Sequence, residues 1–121
     1  MNIVTSTRQV GGVTIVDISG RIVLGEESAT LRKLVGDLLS EGRRNILFNL
    51  ADVNYIDSSG LGNMVSSFTS VRKQGGELKL VNLTTKIQGL MQITRLYTVF
   101  DIKDDEAAAI QSFDHSASAT A

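Results

Sequence analysis

Asn45-Ile46-Leu47-Phe48-Asn49-Leu50 is a short, nearly continuous apolar run. A strand with one wet face alternates apolar and polar residues, so this run fits a central strand covered on both faces. Amphipathic helical patterns flank it. Upstream, Leu31, Leu34, Val35, Leu38 and Leu39 follow the i, i+3, i+4, i+7, i+8 spacing of one buried stripe, on a helix from Ser28 to Glu41. Gly42 fits the left-handed position that ends such a helix. Downstream, Leu61, Met64, Val65, Phe68 and Val71 or Arg72 keep a helical spacing from about Ser59 to Lys73, and Gln74-Gly75-Gly76 stops it. A strand enclosed by helices in this way restricts the chain to a layered α/β architecture.

The other elements extend that pattern. Asn2 to Gln9 and Val13 to Ser19 read as strands rich in Val, Ile and Thr, joined by a Gly11-Gly12 hairpin turn. Leu78 to Leu83 reads as a further strand. Thr84 or Thr85 caps a third helix carrying Ile87, Leu90 and Met91, and Val99 to Ile102 fits a short edge strand. Asp104-Asp105-Glu106 places negative charge at the N-terminus of a last helix, where the macrodipole favours it; Ala107, Ile110 and Phe113 are its apolar positions. Together these predict a mixed sheet of four to five strands packed against about four helices. With 121 residues the chain makes one domain, expected over 1–114, with the small polar stretch 115–121 as a flexible tail.

Composition removes most chemistries. Cysteine is absent, and the one histidine, His115, lies in the expected tail. That leaves no disulfide, no zinc–thiolate site and no histidine base in a packed region. Asp52 and Asp57 can be read as paired carboxylates, but they flank a strand–helix loop, where acids are common, so structural or solvated roles are expected. Gly60-Leu61-Gly62 is a lone G-x-G with no third glycine and no following Gly-Lys-Ser/Thr, so it lacks what a phosphate cradle requires. The net charge is -1, and Arg43-Arg44 and Arg72-Lys73 sit at helix C-termini without interleaved aromatics, which argues against a nucleic-acid partner. No apolar run approaches the roughly 18 residues of a membrane span, and Met1-Asn2-Ile3-Val4-Thr5 lacks the basic start of a signal peptide. The expectation is a cytoplasmic protein that is not an enzyme and carries no cofactor.

One feature is left over, the corner Asp57-Ser58-Ser59-Gly60-Leu61-Gly62, where the strand pattern gives way to a helical one. It admits two readings. Ser and Asp are preferred N-caps, and one of them must satisfy orphan N–H groups of the helix. Yet two adjacent hydroxyls exceed the needs of one cap, and the glycines leave the surface bare around them. A phosphate on Ser58 would be tolerated there, because free N–H groups and the helix dipole favour an anion.

At this corner the chain resembles the STAS-domain anti-anti-sigma factors, which antagonise anti-sigma factors in bacterial partner switching. The resemblance covers residues 3 to 113. It is carried by Gly20 after the second strand, Asn49-Leu50 with Asp52-Val53 after the third, Ile56-Asp57-Ser58-Ser59-Gly60-Leu61-Gly62, and Gly75-Gly76-Glu77-Leu78 at the turn into the fourth. It implies a STAS fold and a switch protein that, unphosphorylated, binds an anti-sigma factor that is also a serine kinase of the Bergerat fold. Phosphorylation at Ser58 then abolishes binding, and a metal-dependent serine phosphatase resets the protein. The implied docking residues are Arg21, Val23 and Leu24 in the loop after the second strand, and Asp57, Ser59, Gly60, Leu61, Gly62 and Asn63 around the corner. The chain departs from the family pattern at three places. Val23 is apolar where members carry an acid, Thr84-Thr85 stand where a proline is frequent, and Arg95 replaces a frequent glycine. The alternative is a STAS interaction module of another complex, for lipid transport, a stressosome-like scaffold or secretion control, with Ser58 only a helix cap.

Overall fold

The computed structural model describes residues 3–23 and 25–120. The elements are β1 (Val4–Val10), β2 (Val13–Ile22), α1 (Glu26–Ser40), β3 (Asn45–Ile56), α2 (Ser58–Lys73), β4 (Glu77–Val81), α3 (Thr85–Thr94), β5 (Asp101–Lys103) and α4 (Glu106–Thr120). A 3-10 turn, Leu96–Thr98, follows α3. The five strands form one mixed sheet in the order β1-β2-β3-β4-β5. β1 runs antiparallel to β2, and every other neighbouring pair is parallel.

The central strand is buried on both sides, as its composition demands. Ile46 and Phe48 of β3 face a large core with Leu31 and Val35 of α1, Met64 and Val71 of α2, and Ile87 and Met91 of α3. Leu47 points the other way, into a smaller core with Val13 and Ile15 of β2, Val81 of β4, and Ala109 and Phe113 of α4. Three helices therefore cover one face and α4 covers the other.

Both α1 and α2 end in the same hydrogen-bonded turn. Gly42 (φ 83) and Gly75 (φ 82) adopt the left-handed conformation that this turn requires. The N–H of Arg43 reaches the Leu38 carbonyl at 2.9 Å, and that of Gly76 reaches Val71 at 2.9 Å, satisfying carbonyls the helix leaves open. α3 is capped by Thr84, whose hydroxyl accepts from the Ile87 N–H at 3.3 Å.

Several boundaries differ from the sequence expectation, and two of them shape the site. β3 continues past Leu50 to Ile56, and β2 continues past Ser19 to Ile22. The two extensions pair with each other, Arg21 opposite Tyr55 and Ile22 opposite Ile56, across register shifts between Asp17 and Ser19 and between Gly20 and Arg21. Each shift breaks the two-residue alternation of side chains, so the extended segments look like loops in sequence. The helical backbone of α4 also runs on to Thr120, beyond residue 113, the last of its apolar positions.

Candidate functional site

The extended ends of β2 and β3 deliver the chain to the corner at Asp57. The Asp57 N–H donates to the Ile22 carbonyl at 3.1 Å, so the first residue after β3 is tied to the end of β2. Asp57 is extended (φ -90, ψ 178), and its side chain accepts from the Gly60 N–H at 2.7 Å. The helix proper starts with the Leu61 N–H donating to the Asp57 carbonyl at 2.9 Å. Asp57 is therefore the N-cap of α2, bonding the third helical N–H as such a cap should.

That assignment separates the two serines from the cap. Ser58 is the first residue of α2 and is exposed, and its side chain takes no part in the cap. Ser59 does not share the cap either; it is half-buried, and its carbonyl accepts from Asn63 Nδ2 at 2.9 Å. Leu61 turns inward and joins the large core.

The two glycines have different reasons to be there. Gly60 packs directly on β2: a Cβ at this position would run into the Ile22 carbonyl oxygen and lie 2.9 Å from its carbonyl carbon. Only glycine lets helix and strand approach so closely. Gly62 faces open space, with nothing within 4 Å of where its Cβ would be. No packing reason requires a glycine there, and its effect is to leave the exposed surface beside Ser58 without a side chain.

The expected docking loop lies beside this corner, though part of it is strand. Arg21 belongs to β2, is exposed, and places its guanidinium carbon 5.0 Å from the centroid of the Tyr55 ring. Val23 is half-buried. Leu24 lies outside the described residues. Tyr55 itself is 36% exposed and carries a second cation, Lys86 Nζ, 5.1 Å from its centroid. Next to it an apolar groove of about 270 Å³ runs between the end of β3 and α3, lined by Tyr55, Ile56, Ile87, Gly89, Leu90 and Ile93. Ile93 is 83% exposed. Tyr55 and Lys86 do not stand out in the sequence as site residues. An aromatic residue three places before Ser58 was visible, but the two cations come from β2 and α3, and only the fold brings them to one ring.

A separate polar ladder crosses the sheet on the side that α4 covers. Arg8 Nε donates to Asp17 Oδ2 at 2.7 Å, and Asn49 Nδ2 donates to Asp17 Oδ1 at 2.7 Å. Asn82 Nδ2 donates to Asn49 Oδ1 at 3.1 Å, and Arg8 Nη2 also reaches Glu106 Oε1 of α4 at 2.7 Å. The Arg8 guanidinium, against the opposing cost of burial, holds the Asp17 carboxyl below the usual carboxylate range, with help from Asn49. Among the described residues no cluster of three His, Cys, Asp or Glu side chains has metal-binding geometry, and no helix is long and apolar enough to cross a membrane.

A five-stranded mixed sheet with four helices is the fold of one family. The model of the STAS domain matches residues 5–109. The chain belongs to the STAS-domain family. Among its relatives is the anti-sigma-B factor antagonist of Bacillus subtilis, 37% identical over 111 residues, covering 92% of this chain and 100% of the relative. The crystal structure of a Thermotoga maritima protein ascribed to the anti-sigma factor antagonists superposes with a TM-score of 0.84 at 27% identity, covering 91% of this STAS domain and 94% of that chain. SpoIIAA of Bacillus in its phosphorylated form superposes with a TM-score of 0.68 over 90% of this chain and 99% of its own, at 16% identity, a likeness of fold.

Proposed function

We propose that this STAS domain is an anti-sigma factor antagonist whose Ser58 is the phosphorylation switch. Family membership supports the antagonist role, since a relative that it matches along its full length carries that name. The observation that carries the switch is the division of labour at the start of α2. Asp57 supplies the cap, so the exposed Ser58 hydroxyl has no structural duty there. In the unphosphorylated state the corner binds an anti-sigma factor that is also a serine kinase of the Bergerat fold, and the sigma factor is released. Arg21, Val23 and Leu24 from the neighbouring strand end, together with Ser59, Gly62 and Asn63, complete the docking face, while Gly60 and Leu61 hold the helix against the sheet. A metal-dependent serine phosphatase returns the protein to its binding state. The cycle runs in the cytoplasm, where sigma factors act.

The physical cost of phosphorylation falls on the interface. A phosphoserine adds about −1.5 to −2 charges at neutral pH. Beside Asp57, and against a partner surface fitted to a neutral hydroxyl, it brings repulsion and desolvation. A penalty of about 3–4 kcal/mol weakens binding several-hundred-fold, because 1.4 kcal/mol is tenfold. The test is to incubate the protein with its cognate kinase and ATP, map the product by mass spectrometry, and measure kinase binding of Ser58→Asp and Ser58→Ala. The expected result is one phosphate on Ser58, binding retained by Ser58→Ala, and binding lost by Ser58→Asp. Modification elsewhere, or full binding by Ser58→Asp, would overturn the proposal.

Two observations favour a second reading. Val23, where family members carry an acid, is apolar and half-buried, and the groove beneath Tyr55 is apolar as well. A STAS module serving a lipid-transport, stressosome-like or secretion assembly would use such a surface, with Ser58 merely at a helix start. Recovery of transporter subunits in a pull-down from native extract, with no Bergerat kinase, would favour that reading.

A further inference from the structure

β1 (Val4–Val10) closes one edge of the sheet. Its inner side pairs with β2 through an unbroken register from Val4 opposite Ser19 to Val10 opposite Val13, while among the described residues no strand lies on its outer side. A free edge of this length is a template for another strand, and proteins usually guard it with a proline, a bulge or lysines. Val4-Thr5-Ser6-Thr7-Arg8-Gln9-Val10 has no proline and no lysine, and its pairing with β2 has no bulge. Its one charge, Arg8, is drawn back over the sheet onto Asp17 and Glu106, at 2.7 Å each. The opposite edge is different: β5 is only three residues long and carries Asp101 and Lys103.

The strand is also complementary to itself. Thr7 is its middle residue. An antiparallel pairing about a two-fold axis at Thr7 sets Thr7 against Thr7 of a second copy, Ser6 against Arg8, Thr5 against Gln9 and Val4 against Val10. Each pair lies on one face of the sheet, because odd positions meet odd and even meet even. Val4 and Val10, exposed by 66% and 41%, are thereby brought together at both ends of the pairing. Threonine opposite threonine and valine opposite valine are favourable cross-strand pairs. Arg8 faces serine rather than its own copy, and Asp17 and Glu106 already neutralise it.

We propose that two copies of this chain pair edge to edge through β1, joining their sheets into one continuous sheet across a two-fold axis. The interface is little more than one strand wide, below the roughly 1,200 Å² of a stable complex, so the dimer is weak and depends on concentration. It uses a surface distinct from the α2 corner, since α2 packs on α1, β3 and β4.

The chain has no cysteine, so one introduced thiol reports on one position. Thr7→Cys sets two thiols directly opposite each other across the axis. Val4→Cys, at a site 66% exposed, sets them about 20 Å apart, six residues along the strand. Under mild oxidation Thr7→Cys is expected to cross-link about tenfold faster than Val4→Cys. Thr7→Lys opposes two like charges and is expected to weaken the dimer about tenfold in sedimentation, with the circular dichroism and melting of the wild type. Equal cross-linking rates for the two thiols, or a single monomeric species of the wild-type chain up to about 1 mM, would overturn the proposal.

Discussion

At the scale of single residues, the start of α2 separates structural need from surface display. Gly60→Ala forces a methyl group into the Ile22 carbonyl, and a backbone group cannot swing aside. We expect a loss of about 1–3 kcal/mol, the usual cost of overpacking, read from urea denaturation. Gly62→Ala meets open space and should gain up to about 1 kcal/mol of helix propensity. If Gly62→Ala also weakens partner binding, Gly62 belongs to the docking face. Arg95, where the family often has glycine, adopts a left-handed conformation with φ 60 at the end of α3. A side chain there costs about 1 kcal/mol, so Arg95→Gly should stabilise the protein by about that amount in the same assay. Asp17 predicts a pH dependence. Its folded pKa lies below the usual value because of Arg8 and Asn49. Its contribution to stability is therefore complete above the unfolded pKa of about 3.9 and is lost as pH falls through the lower folded value. Asp17→Asn should flatten the acid limb of stability against pH, and an unchanged slope would show that the pair does not set it.

At the scale of elements, α4 is the sole helix described on its side of the sheet, and a few contacts hold it. Phe113 is 1% exposed against β2, β3 and β4. Lys79 of β4 is 5% exposed; its ammonium donates to Ser112 Oγ at 2.8 Å, pairs with Asp101 at 3.2 Å and lies 4.8 Å from the Phe113 ring centroid. A buried cation is tolerated because these partners, with Glu77 Oε1 at 3.7 Å, converge on it. Phe113→Ala should cost about 3–5 kcal/mol. Hydrogen exchange should then show the α4 amides losing protection before those of β3, and simultaneous loss would mean the two layers unfold as one. Phe113 was legible in sequence as an apolar position of the last helix. Lys79 was not, since an alternating strand reads a lysine as a wet residue.

At the scale of the whole molecule, the proposed switch needs no change of fold. Ser58 is exposed and outside the cap, so Ser58→Asp should alter unfolding free energy by no more than about 0.5 kcal/mol, as surface substitutions do, while it abolishes partner binding. A large loss of stability would instead make the serine part of the fold. The order of strands and helices, the two-sided burial of β3 and the position of the corner were all legible in the sequence, because each follows from local periodicity and turn residues within a few positions. The tie from Asp57 to the Ile22 carbonyl, the close approach of Gly60 to Ile22, the two cations on Tyr55 and the free edge of β1 were decided only by tertiary structure. Each depends on which segments lie side by side across the sheet, and register shifts between β2 and β3 conceal that neighbourhood from any pattern read along one strand.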